Sequence, residues 1–204
     1  MIAALCAAVC AFGGPARADE NQTYVGPLSS SETQFVQSVQ RDLLARFPHV
    51  SDAERAGYVR YTSPDDTGAI SYANSHWNAD PTHPSQLWYD GQGNLMGADF
   101  SVLRPSNDPR PNLWGINPGR WYEFNGHVHY VIHNPQTGKT TYDQWIWNRD
   151  FAEAGGNVEH PSADTLVKIG RVPDTSYITA IFDFPTQWDL IVWVRPHHPT
   201  QLSW

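Results

Sequence analysis

Cysteine is almost absent from this sequence. The two cysteines, Cys6 and Cys10, both lie near the start of the chain. Residues 11–204 therefore cannot form a disulfide, a cysteine-ligated metal site or a cysteine nucleophile. The stability of this part must come from a packed core. That requirement fits a periplasmic or secreted bacterial protein better than a small disulfide-stapled domain.

Positive charge is also scarce. The chain has 13 Lys and Arg residues against 21 Asp and Glu residues, a formal net charge of −8, and its lysines are Lys139 and Lys168. Because an acidic chain is repelled by phosphate groups, we expect no nucleic-acid partner. Aromatic residues are abundant instead, with nine Trp, nine Tyr and eight Phe. Aromatic rings fill cores, but they also bind small molecules and glycans. A surface that serves a protein partner is a third alternative, for which the sequence gives no positive signal, so a protein partner stays unknown.

A long apolar run occurs only at the start of the chain. Residues 2–12 are apolar or Cys and contain no acid, and Gly13, Gly14 and Pro15 end the run. Ala16-Arg17-Ala18 then has the small-x-small pattern of a signal-peptidase site, although no basic residue precedes the run. The run is shorter than the ~20 residues that span a bilayer. We therefore predict a signal peptide over 1–18, export to the periplasm or medium, and no membrane anchor in 19–204.

Several familiar catalytic motifs are missing. The chain contains no G-x-S-x-G, G-x-G-x-x-G, Walker or H-E-x-x-H motif. Acidic residues do occur on predicted strands, namely Asp99, Glu123, Asp143 and Asp183. Glycoside cleavage by paired carboxylates is compatible with them, but no spacing connects any two. The sequence does not decide whether the protein is an enzyme.

The periodicity changes from helical to extended early in the chain. Ser29 and Glu32 have capping-box spacing before apolar residues at helical intervals, so we predict a helix over 30–47, and a short one over 52–56. Residues 104–119 read as a loop and 149–165 as irregular or briefly helical. Strands are predicted over 59–61, 69–73, 86–90, 94–103, 121–124, 127–133, 140–148, 167–172, 177–184 and 188–194. We expect one α+β, mainly β domain over 19–204, with its β-rich part over 58–204, as a mostly antiparallel sheet or small barrel.

The strongest local signal is a hairpin. Asn125-Gly126 is a favoured two-residue turn between 121–124 and 127–133, and it predicts that Phe124 pairs with His127 and Tyr122 with His129. Alternation along the second strand then divides its side chains between two faces. One face carries His127, His129, Val131 and His133, and the core face carries Val128, Tyr130 and Ile132.

This histidine face predicts a metal site. Imidazoles two residues apart on a strand start ~6–7 Å apart and can converge on Zn²⁺, Cu²⁺ or Fe²⁺. His127 and His129 are the candidate ligands, whereas His133 lies about 12 Å further along the strand. A third ligand must come from elsewhere, and the candidates are His76, His160 and Asp99. Histidines that face solvent and bind nothing are equally compatible with this pattern.

Aromatic residues near these histidines predict a second kind of site. Tyr122 edges the histidine face, Trp77 lies in a polar loop over 75–84, and Trp114 lies in the long loop. These three rings could hold a carbohydrate or another flat ligand without catalysis. The alternative is that they anchor the core and loops.

Residues 70–143 carry scattered matches to a wider group. The matching pieces are Tyr72-Ala73-Asn74-Ser75-His76-Trp77-Asn78, Asp80-Pro81-x-x-Pro84-x-x-Leu87-x-Tyr89, Gly93-x-Leu95-x-Gly97, and His127 before Asn134-Pro135-x-x-Gly138. In these pieces the chain loosely resembles a group of uncharacterised exported bacterial proteins. The resemblance implies no activity, but it implies that His76 and His127 belong together.

Overall fold

The computed structural model describes residues 23–24, 26–75, 77, 79–104 and 109–195. The predicted signal peptide over 1–18 and the candidate ligand His76 lie outside the described residues. No helix within these ranges has the length and apolar character needed to cross a bilayer.

Four α-helices and nine β-strands make up the described chain, beside two short 3-10 turns. The helices are α1 (Ser30–Arg46), α2 (Val50–Arg55), α3 (Asn148–Glu153) and α4 (Ala163–Lys168). The strands are β1 (Val59–Arg60), β2 (Ile70–Ala73), β3 (Gln86–Tyr89), β4 (Leu95–Leu103), β5 (Tyr122–Phe124), β6 (His127–His133), β7 (Thr140–Trp147), β8 (Ile178–Phe184) and β9 (Gln187–Trp193). The predicted helix over 30–47 is confirmed, with both capping-box bonds between Ser29 and Glu32.

The strands form two antiparallel sheets. The larger sheet has the order β1-β2-β3-β4-β9-β5, and the smaller has the order β7-β6-β8. The predicted α+β, mainly β class with mostly antiparallel sheet is therefore confirmed. Within the described ranges the two sheets do not close, so the small barrel, the other form expected from the sequence, is not adopted.

The helices cover the outer faces of the two sheets. The apolar stripe of α1, with Val36, Val39 and Leu43, packs on one face of the larger sheet. The sheet side of this core contains Leu87, Ala98, Phe100, Leu190 and Val192. On the smaller sheet, α3 contributes Phe151 and α4 contributes Leu166 to a core that includes Val128, Tyr130 and Ile146. The other faces of the two sheets pack against each other.

The predicted hairpin at 121–133 is wrong. β5 pairs with β9 in the larger sheet, whereas β6 pairs with β7 and β8 in the smaller sheet. Asn125-Gly126 therefore carries the chain from one sheet to the other instead of folding it back. The strand pairs Phe124–His127 and Tyr122–His129 do not form. A local turn signal does not reveal that β9, far along the chain, takes the place beside β5.

The predicted strand over 167–172 is also wrong, because helix α4 occupies its first half. Ser162 caps this helix by accepting a hydrogen bond from the Asp164 amide at 3.2 Å. Gly170, with φ +73°, then takes the left-handed conformation that ends it. Val172 reaches the core beside α4. The alternating apolar residues of 167–172 thus belong to the end of a helix and the turn after it.

Tyr61, just after β1, joins the two sheets. Its carbonyl oxygen accepts a hydrogen bond from the Asp143 amide of β7 at 3.0 Å and another from His129 Nε2 of β6 at 3.3 Å. Its hydroxyl donates to Gln86 Oε1 of β3. Its ring lies 4.7 Å from the His129 ring and 5.3 Å from the Phe184 ring, between centroids. One side chain and its backbone therefore contact four strands of two sheets, namely β3, β6, β7 and β8.

Candidate functional site

The inward face of the smaller sheet is almost wholly aromatic. Strand register builds two cross-strand rows, Trp147–His127–Phe184 and Trp145–His129–Phe182. The His127 ring stacks on Phe184 at 4.9 Å and 19°, and it lies 5.7 Å from the His129 ring. As alternation along the strand predicts, Val128 and Tyr130 point to the opposite, helix-covered face. The structure therefore brings His127 and His129 side by side.

Hydrogen bonds fix which nitrogen of each imidazole carries hydrogen. His127 Nδ1 lies 3.0 Å from the carbonyl oxygen of Asn125, and His129 Nε2 lies 3.3 Å from that of Tyr61. A carbonyl oxygen only accepts, so both of these nitrogens must donate. The lone pairs of the neutral rings then lie on His127 Nε2 and His129 Nδ1. The latter is buried, and no residue of the described ranges bonds to it.

Both imidazoles are neutral under ordinary conditions. His127 is 7% exposed and His129 is 4% exposed. Burial lowers the pKa of His127 to about 4, against a smaller opposing effect of the Asn125 carbonyl. Burial, and then the nearby His127, lower the pKa of His129 to about 3. Uncharged rings with a lone pair are the form that binds a metal ion.

Two buried aspartates lie on the facing side of the larger sheet. Asp99 of β4 and Asp189 of β9 are diagonal neighbours, because Asp189 lies opposite Ser101 in the strand register. Tyr122 Oη donates to Asp99 Oδ2 at 2.9 Å, and Gln86 Nε2 donates to the same atom at 3.0 Å. We call Asp99 and Asp189 the carboxyl pair. Both side chains are at most 1% exposed.

The carboxyl pair holds at least one proton near neutral pH. Burial raises the pKa of Asp99 to about 7, although the Tyr122 hydroxyl opposes this shift. Burial and the adjacent Asp99 raise the pKa of Asp189 well above its ordinary value. Gln187 Nε2 donates to Asp189 Oδ2 at 3.2 Å, while Oδ1 of each aspartate has no hydrogen-bond partner in the described part of the chain. Two buried carboxyl groups on neighbouring strands are unfavourable when both are charged, so protonation of at least one of them is the expected state.

Two predicted ligand-binding rings lie in this inter-sheet region. Trp77, next in the chain to His76, packs on Phe184 with centroids 4.7 Å apart. Tyr122 is 3% exposed, and its hydroxyl is held by Asp99. As placed, Tyr122 supports the carboxyl pair and presents little surface to a ligand.

Trp114 lies on the other side of the larger sheet. It stacks on Phe35 of α1 with centroids 5.3 Å apart and planes within 8°. Its φ of 55° is left-handed, an uncommon conformation for a bulky residue. The structure therefore does not bring Trp114 together with the histidines.

The remaining predicted ligands also lie apart from His127 and His129. His133 Nδ1 is 3.0 Å from Thr140 Oγ1, and His160 is exposed between α3 and α4. Asp99 is on the larger sheet. Glu123, predicted only as a strand carboxylate, forms an ion pair with Arg104. Within the described ranges, no group of three or more His, Cys, Asp or Glu side chains is arranged to hold a metal ion.

Sequence reasoning overlooked Asp189, Gln86, Gln187 and Tyr61. A signal for Asp189 exists, because it interrupts the apolar run of Trp188 to Trp193 on a strand. An acid inside such a run is costly unless it is paired or protonated, so it marks an unusual site. Tyr61 carries no such signal. Its role depends on contacts with four strands that lie further along the sequence.

Comparisons with known proteins add no assignment to this geometry. No protein-family model, no curated protein and no solved structure matches the chain. The predicted resemblance to exported bacterial proteins stays a prediction, and the function must be argued from the inter-sheet site alone.

Proposed function

We propose that the protein binds a divalent transition-metal ion through His127 and His129. One observation carries this proposal. Each imidazole donates a hydrogen bond from one ring nitrogen to a backbone carbonyl and keeps a lone pair on its other ring nitrogen, as metal-bound histidines do. Burial against Phe182 and Phe184 keeps both rings neutral and in fixed positions.

The donor set limits the metals to be expected. Two imidazoles and no thiolate suit Zn²⁺, Cu²⁺ or Fe²⁺. The described residues supply two ligands, and His76 stays the proposed third because its chain neighbour Trp77 packs on Phe184, the ring that stacks on His127. An ion bound with an open position would act as a Lewis acid and activate water.

Metal titration tests this proposal directly. Untagged protein, treated with chelator, should bind about one equivalent of Co²⁺ or Zn²⁺ with a rise in melting temperature. His127→Gln and His129→Gln should each weaken binding more than about tenfold, because each removes one ligand. His76→Gln should weaken it as well. His133→Gln, on the same strand but bonded to Thr140, is the matched control and should bind like the parent.

Two results would end the metal proposal. One is a parent protein that binds neither Co²⁺, Zn²⁺, Cu²⁺ nor Fe²⁺ at micromolar concentration under anaerobic conditions. The other is equal binding by the parent, His127→Gln and His129→Gln, which would place the ion elsewhere. Far-UV circular dichroism of each variant identifies any that fails to fold.

A second candidate function is the binding of a sugar ring or another flat ligand, favoured by two neighbouring indoles. Trp145 and Trp147 lie with centroids 4.5 Å apart, and Trp147 is 38% exposed. Exposed indoles adjoining polar groups are typical surfaces for flat ligands. Titration with soluble glycans should quench tryptophan fluorescence in the parent but not in Trp147→Ala. Equal quenching in both proteins would exclude this surface.

Export is proposed on the sequence pattern at 1–18. Expression of the full chain in a bacterium, followed by N-terminal sequencing of the periplasmic fraction, should give a mature protein that begins at Asp19. Recovery of only the uncut chain in the cytoplasm would contradict this proposal.

A further inference from the structure

A groove of about 530 Å³ lies along helix α1, on the outer face of the larger sheet. It is lined by one side of α1, by Pro81 and Thr82 of the loop between β2 and β3, and by Trp114 of the long loop after β4. This volume falls in the ~300–1,000 Å³ range of ligand pockets. The groove is therefore large enough for a small molecule, and it lies apart from the proposed metal ligands.

Two stacked rings form the apolar part of this groove. Phe35 and Trp114 both line it, and their planes are within 8° of each other. Both rings are half-buried, so part of each stays exposed to the groove. Trp114 also holds a left-handed backbone, with φ 55°. Such a backbone is unfavourable for a bulky residue, and conformations of this kind concentrate at functional sites.

Neutral polar side chains border the two rings. Ser31, Gln34 and Ser38 of α1 line the groove, as does Thr82 of the facing loop. Gln34, Ser38 and Asp42 are spaced by four residues, so they form one row of about 12 Å along the helix. Gln34 and Ser38 are exposed. The groove therefore presents hydroxyl, amide and carboxylate groups along one side.

The charge of the lining favours a neutral ligand. Of the lining residues in the described part of the chain, only Asp42 is ionisable, and it forms an ion pair with Arg46 one turn later. A charged ligand would give up water here without gaining an unpaired opposite charge. A wholly apolar ligand would cover the polar row without bonding to it. A neutral ring that carries hydroxyl groups satisfies both parts of the lining.

We propose that this groove binds a neutral saccharide. The C–H face of a sugar ring packs on the Phe35–Trp114 pair, and its hydroxyl groups exchange hydrogen bonds with the row of Gln34, Ser38 and Asp42. The row is longer than a single sugar ring, so an oligosaccharide should bind more tightly than its monosaccharide. The proposal is independent of the metal and of the indoles Trp145 and Trp147, because the groove contains none of those residues.

Calorimetric titration with neutral trisaccharides tests the inference. The probes are maltotriose, cellotriose and tri-N-acetylchitotriose, with phenol as a ring that lacks the sugar hydroxyls. At least one trisaccharide should bind with a Kd of about 1 mM or tighter. In proton–nitrogen correlation NMR spectra, the indole N–H signal of Trp114, identified with Trp114→Phe, should shift on binding. The signal of Trp147 should stay in place.

Ser38→Arg is the decisive variant, because it places a long charged side chain in the middle of the polar row. It should weaken binding at least about tenfold. Gln34→Ala removes one hydrogen-bonding partner and should weaken binding about fivefold. Gln37→Arg is the matched control: Gln37 is also exposed on α1, but it lies outside the groove, so this variant should bind like the parent.

Four results would overturn the saccharide proposal. They are no binding of any of the three trisaccharides at about 10 mM, equal binding by the parent and Ser38→Arg, a shift of the Trp147 signal alone, and tighter binding of phenol than of every trisaccharide. The last result would indicate an apolar ligand instead. Far-UV circular dichroism checks the folding of each variant, and Gln34→Ala provides the same comparison if Ser38→Arg fails to fold.

Discussion

Two single side chains, Asp99 and Asp189, make the folding stability of the protein depend on pH. The folded-state pKa of Asp99, about 7, lies above its ordinary value of 3.8. A raised pKa means that the folded state keeps a proton that the unfolded chain has released. The contribution of Asp99 to stability is therefore complete below about pH 4 and is lost as pH rises through about 7.

The pKa of Asp189 is raised as well, so Asp189→Asn should remove the part of the alkaline loss that Asp189 itself contributes. The amide oxygen can still accept from Gln187 Nε2, and the amide has no proton to release as pH rises. Since one pKa unit corresponds to ~1.4 kcal/mol, the variant should be more stable than the parent by on the order of 2 kcal/mol at pH 8. The difference should shrink at pH 5. Urea denaturation at both values measures it.

An exposed residue provides the control for Asp189→Asn. Asp66 is exposed in the loop after β1, so Asp66→Asn should leave the stability difference between pH 5 and pH 8 as in the parent. A less stable Asp189→Asn variant at pH 8 would show that the buried pair prefers charge to a neutral amide. Protonation of the carboxyl pair near neutral pH would then be rejected.

Glu32 stabilises the fold in its charged form, whereas Asp99 and Asp189 do so in their protonated forms. It forms a buried ion pair with Arg120, with Nε and Oε1 2.7 Å apart and exposures of 2% and 0%. Burial alone would raise the pKa of Glu32. The hydrogen bonds from Arg120, Ser29 and Asn117 nevertheless lower it to about 2. This contribution is present above pH 4.5 and is lost as pH falls through about 2.

Glu32→Gln should cost ~3 kcal/mol of unfolding free energy at pH 7, because it leaves the Arg120 charge buried without its partner. The cost should diminish as pH falls below about 4.5, where the unfolded parent takes up a proton, and the charge contribution should be lost near pH 2, where the folded parent does so too. Glu54→Gln, at an exposed position of α2, is the control and should change stability little. A Glu32→Gln protein as stable as the parent at pH 7 would mean that Arg120 is compensated by other groups.

At the scale of whole elements, periodicity predicted faces correctly but did not predict partners. Alternation along 127–133 separated the inward His127 and His129 from the helix-covered Val128 and Tyr130. Alternation along 94–103 puts Asp99 and Ser101 on one face of β4, and the structure shows that this polar face is buried as well. Side-chain direction follows from a strand's own sequence. The neighbour that covers it follows from long-range packing, which the sequence reasoning did not capture.

The candidate site shows the same division. The sequence predicted the neighbouring imidazoles, because they lie on one strand. It did not predict the carboxyl pair, since Asp99 and Asp189 become neighbours only when β4 pairs with β9. Nor did it predict the two carbonyl acceptors, one of which belongs to Tyr61. The strand order brings groups from different strands together, and the sequence did not predict the strand order.

Gly126 is needed at the crossover between the sheets because of crowding. A Cβ at this position would lie 2.6 Å from Asn148 Nδ2 and 3.1 Å from the Thr186 amide nitrogen. Asn148 cannot easily move, because its Nδ2 donates to Asp183 Oδ1 at 3.0 Å. Gly126→Ala should therefore cost about 1–3 kcal/mol in thermal or urea denaturation.

Gly91→Ala is the matched control for this crossover. A Cβ at Gly91 meets nothing within 4 Å, and its backbone is not left-handed. The control should be neutral to within about 0.5 kcal/mol. Equal stability of the two variants would contradict the close packing of the crossover and would again favour a simple turn.

At the scale of the whole molecule, the two sheets are expected to unfold together because Tyr61 and a shared core join them. Besides the bonds of Tyr61, the shared core contains Ala73, Val131 and Phe184, with Trp77 and Phe124 at its margin. Both sheets carry tryptophan, so fluorescence reports on each, whereas circular dichroism reports on the backbone. In the parent protein the two signals should change at the same urea concentration.

Tyr61→Ala should break this coupling. The substitution removes a ring packed against His129 and Phe184 and leaves Gln86 without its hydroxyl donor, at a cost of about 3–5 kcal/mol. Because the lost contacts lie between the sheets, the fluorescence and dichroism transitions should separate. Phe151→Ala, in the core between α3 and the smaller sheet, should cost a similar amount while the transitions stay coincident. Coincident transitions in Tyr61→Ala would show that the sheets remain one cooperative unit without this residue.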